Sequence, residues 1–170
     1  MHTIHGFEEV IPFIHKKTLV VCDIDYTLVH YGKPFLHFLN EARSQTRSPQ
    51  DEEPIAYEFY KRHLQTHPPI PTDPSGFIQL LMEVTRQGKL IFVTARPPEY
   101  EAFTRKEFKT LNLDYDFFEV HYLGLGCKGE FCKQYVPKYD QICLVDDYKK
   151  NIRAFQALIP GSKTFLFRLD

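Results

Sequence analysis

No apolar run in the sequence approaches the roughly 20 residues that cross a bilayer, so no membrane span is expected. Charge of one sign is not in excess either. Lys and Arg number 21 against 22 Asp and Glu, for a net charge of −1. That balance offers no broad basic surface to nucleic acid or to an anionic membrane, and neither is an expected partner. Met1-His-Thr-Ile-His-Gly6 has no basic segment followed by an apolar core, so a secretory signal is not expected. Cysteine is scarce, with Cys22, Cys127, Cys132 and Cys143 alone. Cys127 and Cys132 form a C-x4-C spacing with no second pair, which argues against zinc. Cys22 and Cys143 fall in apolar runs, where a thiol packs as a small hydrophobe. All four read as reduced thiols, and the expected compartment is the cytoplasm. Internal repeats and long low-complexity stretches are missing too.

What is present suffices for one domain with a small insertion. The 170 residues are 43% hydrophobic and 15% aromatic, ample for a core. Gly6 to Lys17 carries Phe7, Val10, Ile11 and Ile14 at helical spacing, with Pro12 as a flaw that shortens it. Thr18-Leu-Val-Val-Cys22 reads as a strand buried on both faces and runs straight into Asp23 and Asp25. From Ser75 strands and helices alternate. Ser75 is the expected cap of a helix with Phe77, Leu80, Leu81 and Val84 inward and Gly88 at its end. Lys89-Leu-Ile-Phe-Val93 is a second apolar strand ending in Thr94, and a helix follows from Pro97-Pro98 to about Leu111. Val120 to Leu123 is a weak third strand, followed by Gly124, Gly126 and Lys128, with a short helix from Glu130. Gln141-Ile-Cys-Leu-Val145 is a fourth strand ending in Asp146-Asp147. A helix over Asn151–Leu158 and a strand over Thr164–Phe167 close the chain. The alternation predicts an α/β fold, a three-layer, Rossmann-like parallel sheet.

Pro34 to Thr72 breaks that rhythm. Helix-like pieces at 34–45 and 54–65 flank a polar run, Ser44 to Glu53, and a Pro-rich exit follows at His67-Pro-Pro-Ile-Pro71. The segment reads as a small helical insertion over the end of the first strand. Phe35, Phe38, Tyr57, Phe59 and Tyr60 are its expected small core. The domain reading is therefore 1–33 with 73–170 as the α/β core, and 34–72 as the insertion.

In a parallel sheet all strand carboxyl ends lie along one edge, where ligands bind. Asp23 and Asp25, Thr94, Lys128, and Asp146 with Asp147 therefore converge. Each feature alone has a plainer reading: Asp pairs cap helices, and a lysine after glycines is commonly just solvated. Together, four carboxylates repel unless a cation joins them. Oxygen ligands favour Mg²⁺. Lys128 and the Thr94 hydroxyl then suit an anion, and the set meets the demands of phosphoryl transfer. Arg96 could reach a substrate anion, or equally pair with Glu99 or Glu101. Tyr26 is a further candidate substrate contact.

At these residues the sequence resembles the haloacid dehalogenase (HAD) superfamily of aspartate-nucleophile phosphohydrolases. Asp23-Ile-Asp25-Tyr-Thr27-Leu resembles its D-x-D-x-T-[LV] signature. Val93-Thr94-Ala95-Arg96, Lys128-Gly129 and Val145-Asp146-Asp147 follow in the order of the other three motifs. The resemblance spans Thr18 to about Leu158, with 34–72 in the position of a C1-type cap. It implies Asp23 as nucleophile through an aspartyl-phosphate and Asp25 as acid and base. It implies Thr94 and Lys128 as phosphate contacts. Asp23, the Asp25 carbonyl, Asp146 and Asp147 would hold Mg²⁺. An Asp at position 25 favours phosphate esters over carbon–halogen bonds. The implied activity is a Mg²⁺-dependent phosphatase for a small phosphorylated metabolite or nucleotide. A polynucleotide end phosphatase and a non-catalytic binding protein on the same fold are the alternatives.

Overall fold

The structure is a computed structural model that describes residues 1–33, 35–46, 49–124 and 126–169. Pro34 and the side chain of Phe35, expected to open the inserted segment and its core, lie outside the described residues. Six strands form one wholly parallel sheet: β1 (His2–Ile4), β2 (Thr18–Cys22), β5 (Gly88–Thr94), β6 (Glu119–Tyr122), β7 (Gln141–Asp146) and β8 (Lys163–Phe167). Their order is β1-β8-β7-β2-β5-β6. The chain leaves β2 outward through β5 and β6, then returns to the other side of β2 with β7. That reversal places a crevice at the carboxyl end of β2.

β2 is buried along its whole length, as its unbroken apolar run requires. Its side chains divide by pleat. Val20 and Cys22 join Phe7, Phe77, Leu80, Phe92 and Phe108 in one core layer. Leu19 and Val21 join Ile91, Leu144, Ile152 and Phe155 in the other. Helices α3 (Pro74–Gln87) and α4 (Glu101–Thr110) cover the first face. Helices α5 (Lys128–Cys132) and α6 (Lys149–Leu158) cover the second. This is the expected three-layer α/β sheet.

The amino-terminal stretch departs from the expectation. Phe7–Phe13 is a 3-10 helix containing Pro12, not an amphipathic helix reaching Lys17. His2–Ile4, read as no element, pairs with β8 at the sheet edge. The cap of α3 is Asp73, whose side chain accepts the Gly76 N–H at 3.0 Å, rather than Ser75. Pro74 then occupies the first helical turn, where its missing N–H is harmless.

Between β2 and α3 runs the segment with helices α1 (Phe35–Gln45) and α2 (Pro49–Thr66). Val29–His30 (β3) and Ile70–Pro71 (β4) pair antiparallel and bring its two ends together. α2 begins earlier than its sequence suggests, because the charged run before Pro54 is helical. Acidic Asp51 and Glu52 sit in its first turn, where the helix dipole favours them. Phe38, Ala42, Ala56, Tyr60 and Leu64 are buried between the two helices and join the first core layer.

Candidate active site

Four of the expected residues meet at the strand ends. Asp23 follows β2, and its N–H bonds the Val145 carbonyl at 2.9 Å, extending the β2–β7 ladder past the strand. Asp146 is the last residue of β7, and Lys128 opens α5. The Lys128 ammonium lies 2.7 Å from Asp23 Oδ1 and 2.7 Å from Asp146 Oδ2. Carboxylate oxygens of Asp23, Asp146 and Asp147 lie within 4.8 Å of one another. Asp146 also accepts the Tyr148 N–H at 2.8 Å and the Asn151 amide at 3.1 and 3.2 Å. The plainer capping reading of the Asp pair does not hold, since the N-cap of α6 is Tyr148 and no side chain caps it. One carboxylate instead turns the chain ahead of α6 and faces the lysine.

Burial sets the charge balance of this cluster. Asp23, Lys128 and Asp146 are almost wholly out of solvent. Burial lifts the Asp23 carboxyl to about 7, with Asp146 and Asp25 adding to the rise and Lys128 opposing it. Burial, then Asp146 and Asp23, drive Asp147 well above the usual carboxylate range. Burial works against the Lys128 ammonium, but the two carboxylates hold its proton more tightly than usual.

Asp25 takes a different partner. Its two oxygens accept a fork from Arg96, Nε to Oδ2 at 3.0 Å and Nη2 to Oδ1 at 2.6 Å. The second Nη2–H donates to the Tyr31 hydroxyl at 2.7 Å. Nη1 donates to Thr104 at 2.8 Å and to Glu107. The Tyr31 hydroxyl donates to Glu107, and Tyr60 hydrogen-bonds Asp25. All five guanidinium N–H groups are thereby used inside the protein. Arg96 is 1% exposed and pairs with Asp25 and Glu107 rather than with Glu99 or Glu101, its expected partners. The Asp25 carboxylate likewise lies with Arg96 rather than in the cluster of Asp23, Asp146 and Asp147.

Above Asp23 opens a cavity of about 390 Å³. Asp23, Asp25, Lys128 and Asp147 form its floor, and Tyr26, Tyr57, Tyr60 and Tyr148 contribute to its walls. Tyr57 is pinned by its hydroxyl to the Ala95 carbonyl at 2.7 Å. Tyr26 has φ +57°, and its buried hydroxyl has no hydrogen-bond partner among the described residues. Thr94 is fully buried and does not line the cavity, which Ala95 does instead. The Thr94 hydroxyl accepts the Arg96 N–H at 3.1 Å. A groove of about 540 Å³ at the opposite ends of β5 and β6 contains none of these residues.

No protein-family model matches the sequence, and no curated protein matches it. Among solved structures, the HAD domain of the effector protein Lem4 from Legionella pneumophila, an inactive mutant, superposes with a TM-score of 0.53. It shares 16% identity, over 92% of this chain and 86% of that one. The fold is that of the HAD domains. A putative β-phosphoglucomutase from Thermotoga maritima gives a TM-score of 0.48 at 13% identity, over 88% of this chain and 94% of that one. On this HAD-like fold the strand-end residues are those the sequence motifs singled out.

Glu107 and Thr104 escaped the sequence reading. One signal existed for them. Thr104, Glu107 and Phe108 share one face of α4, and a carboxylate in a buried stripe needs a cation. Arg96, itself at a buried strand end, is that cation. No local pattern states that Tyr31 bonds Arg96 and Glu107 or that Tyr60 bonds Asp25.

Proposed function

We propose that this chain is a phosphomonoesterase acting through an aspartyl-phosphate on Asp23, with residues 34–72 as a cap over the site. One observation carries the reading. A buried ammonium bridges Asp23 and Asp146 at the floor of a cavity, beside a third carboxylate. Once ionised, three carboxylates beside one ammonium are in excess by two negative charges. A hard, oxygen-only donor set of that charge fits Mg²⁺, with Asp23, Asp146 and Asp147 as the residues that would hold it. When bound, the cation neutralises charge at the transferring phosphoryl group.

Asp23 attacks phosphorus and the ester P–O bond breaks. Lys128 keeps the Asp23 charge stabilised at 2.7 Å and stays beside the phosphoryl oxygens. Asp25, which takes up a proton from the solvent of the cavity it lines, gives it to the departing oxygen and then recovers one from the water that releases phosphate. Thr94 orients the Arg96 backbone at the edge of the site. The tyrosine walls admit a small ester.

Hydrolysis of p-nitrophenyl phosphate tests this. The protein should turn it over with Mg²⁺, stop on addition of EDTA, and lose activity at least about a thousandfold in Asp23→Asn. A wild type inert toward a panel of nucleotides, sugar phosphates and phosphorylated oligonucleotides overturns the reading. The panel also ranks substrate classes.

A further inference from the structure

The wall above Asp23 turns its hydroxyls away. Tyr26, Tyr57, Tyr60 and Tyr148 line the cavity. The Tyr57 hydroxyl donates to the Ala95 carbonyl at 2.7 Å, and the Tyr60 hydroxyl is bound by Asp25. The Tyr26 hydroxyl is out of contact with solvent, so this residue shows its ring, not its oxygen, to a cavity wide enough for water. Three of the four tyrosines thus present aromatic carbon. Elsewhere in the lining, the Asn151 amide donates to both oxygens of Asp146, and Cys127 and Lys150 are exposed. A charged floor therefore lies under a wall with few donors or acceptors to offer.

The rings also share an orientation. Tyr26 and Tyr57 lie on Tyr60 at 6.4 and 6.2 Å between centroids, tilted from it by only 33° and 36°. That spacing is too wide for the rings to stack face to face on one another. Together they make one broad aromatic surface. Tyr26 keeps its place in it at φ +57°, with its N–H bonded to the Val29 carbonyl. Bulky side chains seldom adopt that left-handed backbone, and such outliers cluster where ligands bind.

A group that enters this cavity leaves its water behind. The hydroxyls of a sugar would face aromatic carbon, unpaired. A flat apolar ring gives up no hydrogen bonds and gains contact with the tyrosines. We propose that the cavity is built for a phosphate ester of a flat, apolar alcohol, an aryl or arylmethyl phosphate, with its phosphate on the charged floor and its ring against Tyr26, Tyr57 and Tyr60. The inference rests on the phosphatase reading above for turnover, and on the cavity alone for binding.

Three esters of primary alcohols test it. Benzyl phosphate, cyclohexylmethyl phosphate and glucose 6-phosphate each carry a six-membered ring one carbon from the ester oxygen, so shape and polarity vary while the leaving group stays similar. With Mg²⁺ present, wild-type kcat/KM should be at least about thirtyfold higher on benzyl phosphate than on glucose 6-phosphate, and about threefold or more higher than on cyclohexylmethyl phosphate. Tyr57→Leu keeps the wall apolar but removes a flat face. It should bring benzyl and cyclohexylmethyl phosphate within about twofold of each other and leave glucose 6-phosphate the poorest. Tyr57→Phe keeps the ring and should keep the wild-type ratio. Tyr57 is only half-buried, so both variants should fold. Glucose 6-phosphate equal to or better than benzyl phosphate, equal wild-type values on the two apolar esters, or a ratio that Tyr57→Leu leaves unchanged overturns the inference. Calorimetric titration of Asp23→Asn with the same three compounds ranks binding without turnover, and the order should be the same. A wild type inert on every ester, with Asp23→Asn still binding benzyl phosphate at least about tenfold more tightly than glucose 6-phosphate, sinks the phosphatase reading and upholds the ligand class. Equal binding of all three, or of none, overturns the ligand class.

Discussion

At the scale of single residues the molecule sets buried charges against one another. Lys128 faces two carboxylates at 2.7 Å each, and Asp147 adds a third that burial and its neighbours drive well up. A carboxylate so disfavoured in its charged form destabilises the fold unless a cation joins it. Asp147→Asn should therefore raise Tm in EDTA, by roughly 2–4 °C for each kcal/mol of repulsion relieved. The same change should shrink the rise that Mg²⁺ gives the wild type, which reaches about 2.7 kcal/mol at a hundred times Kd. Differential scanning fluorimetry with and without Mg²⁺ measures both. A wild type indifferent to Mg²⁺ contradicts the cation site.

Glu119 illustrates the opposite sign. Burial is the largest influence and works to raise it, yet Lys89, Tyr135 and His121 together depress it to about 2. Tyr135 donates at 2.7 Å and His121 Nε2 lies at 2.6 Å. A carboxyl depressed in the folded state binds fewer protons there than in the unfolded chain, whose value is about 4.3. Its stabilisation is complete above about 4.3 and fades as pH falls toward about 2. Glu119→Gln should accordingly lower Tm at pH 6, and the gap to wild type should narrow between pH 5 and pH 3. A gap that stays constant over that range disproves the linkage.

At the scale of elements, the contact between α5 and α6 fixes the lysine. A Cβ on Gly129 would lie 2.8 Å from Leu158 Cδ1, 3.1 Å from Leu158 Cβ and 3.3 Å from the Phe155 backbone. The side-chain tip can give way, but the other two cannot easily. Gly129→Ala should push α5 off α6, costing about 1–3 kcal/mol as overpacking does. Lys128, the preceding residue, should move with it, so activity should fall more than stability alone explains. Chemical denaturation and steady-state kinetics on one preparation separate the two effects.

Elements also show where the sequence was readable. β2, β5 and β7 announce themselves as apolar runs because both faces are buried, and the residues at their carboxyl ends are the ones the motifs singled out. β1 has only three residues at an edge, too few for a pattern, and a helical spacing just after it obscured it. Asp73 outcompetes Ser75 as cap because Pro74 prefers the first turn. The Arg96 network was invisible for another reason. Asp25, Tyr31, Arg96 and Glu107 are brought together by tertiary packing, and no local rule states which carboxylate a buried arginine will choose.

At the scale of the whole molecule, the segment of α1 and α2 is no separate body. Phe38, Ala42, Ala56, Tyr60 and Leu64 run without a break through Tyr31, Val29 and Leu28 into Phe77, Phe92 and Phe108. A shared core makes the two parts unfold together. Phe38 is 4% exposed and packs against the rings of Tyr60 and His63, at 6.2 and 5.1 Å. Phe38→Ala should cost about 3–5 kcal/mol, the usual range for a buried phenylalanine. For a chain of this size that lowers Tm by roughly 6–20 °C, at about 2–4 °C per kcal/mol. The loss should appear in one transition, the same by far-ultraviolet dichroism as by calorimetry. An early, separate transition for the helical segment would mean that its core is its own. Tyr57 and Tyr60 would then leave the cavity well below the temperature at which the sheet melts, and activity should drop before the sheet does.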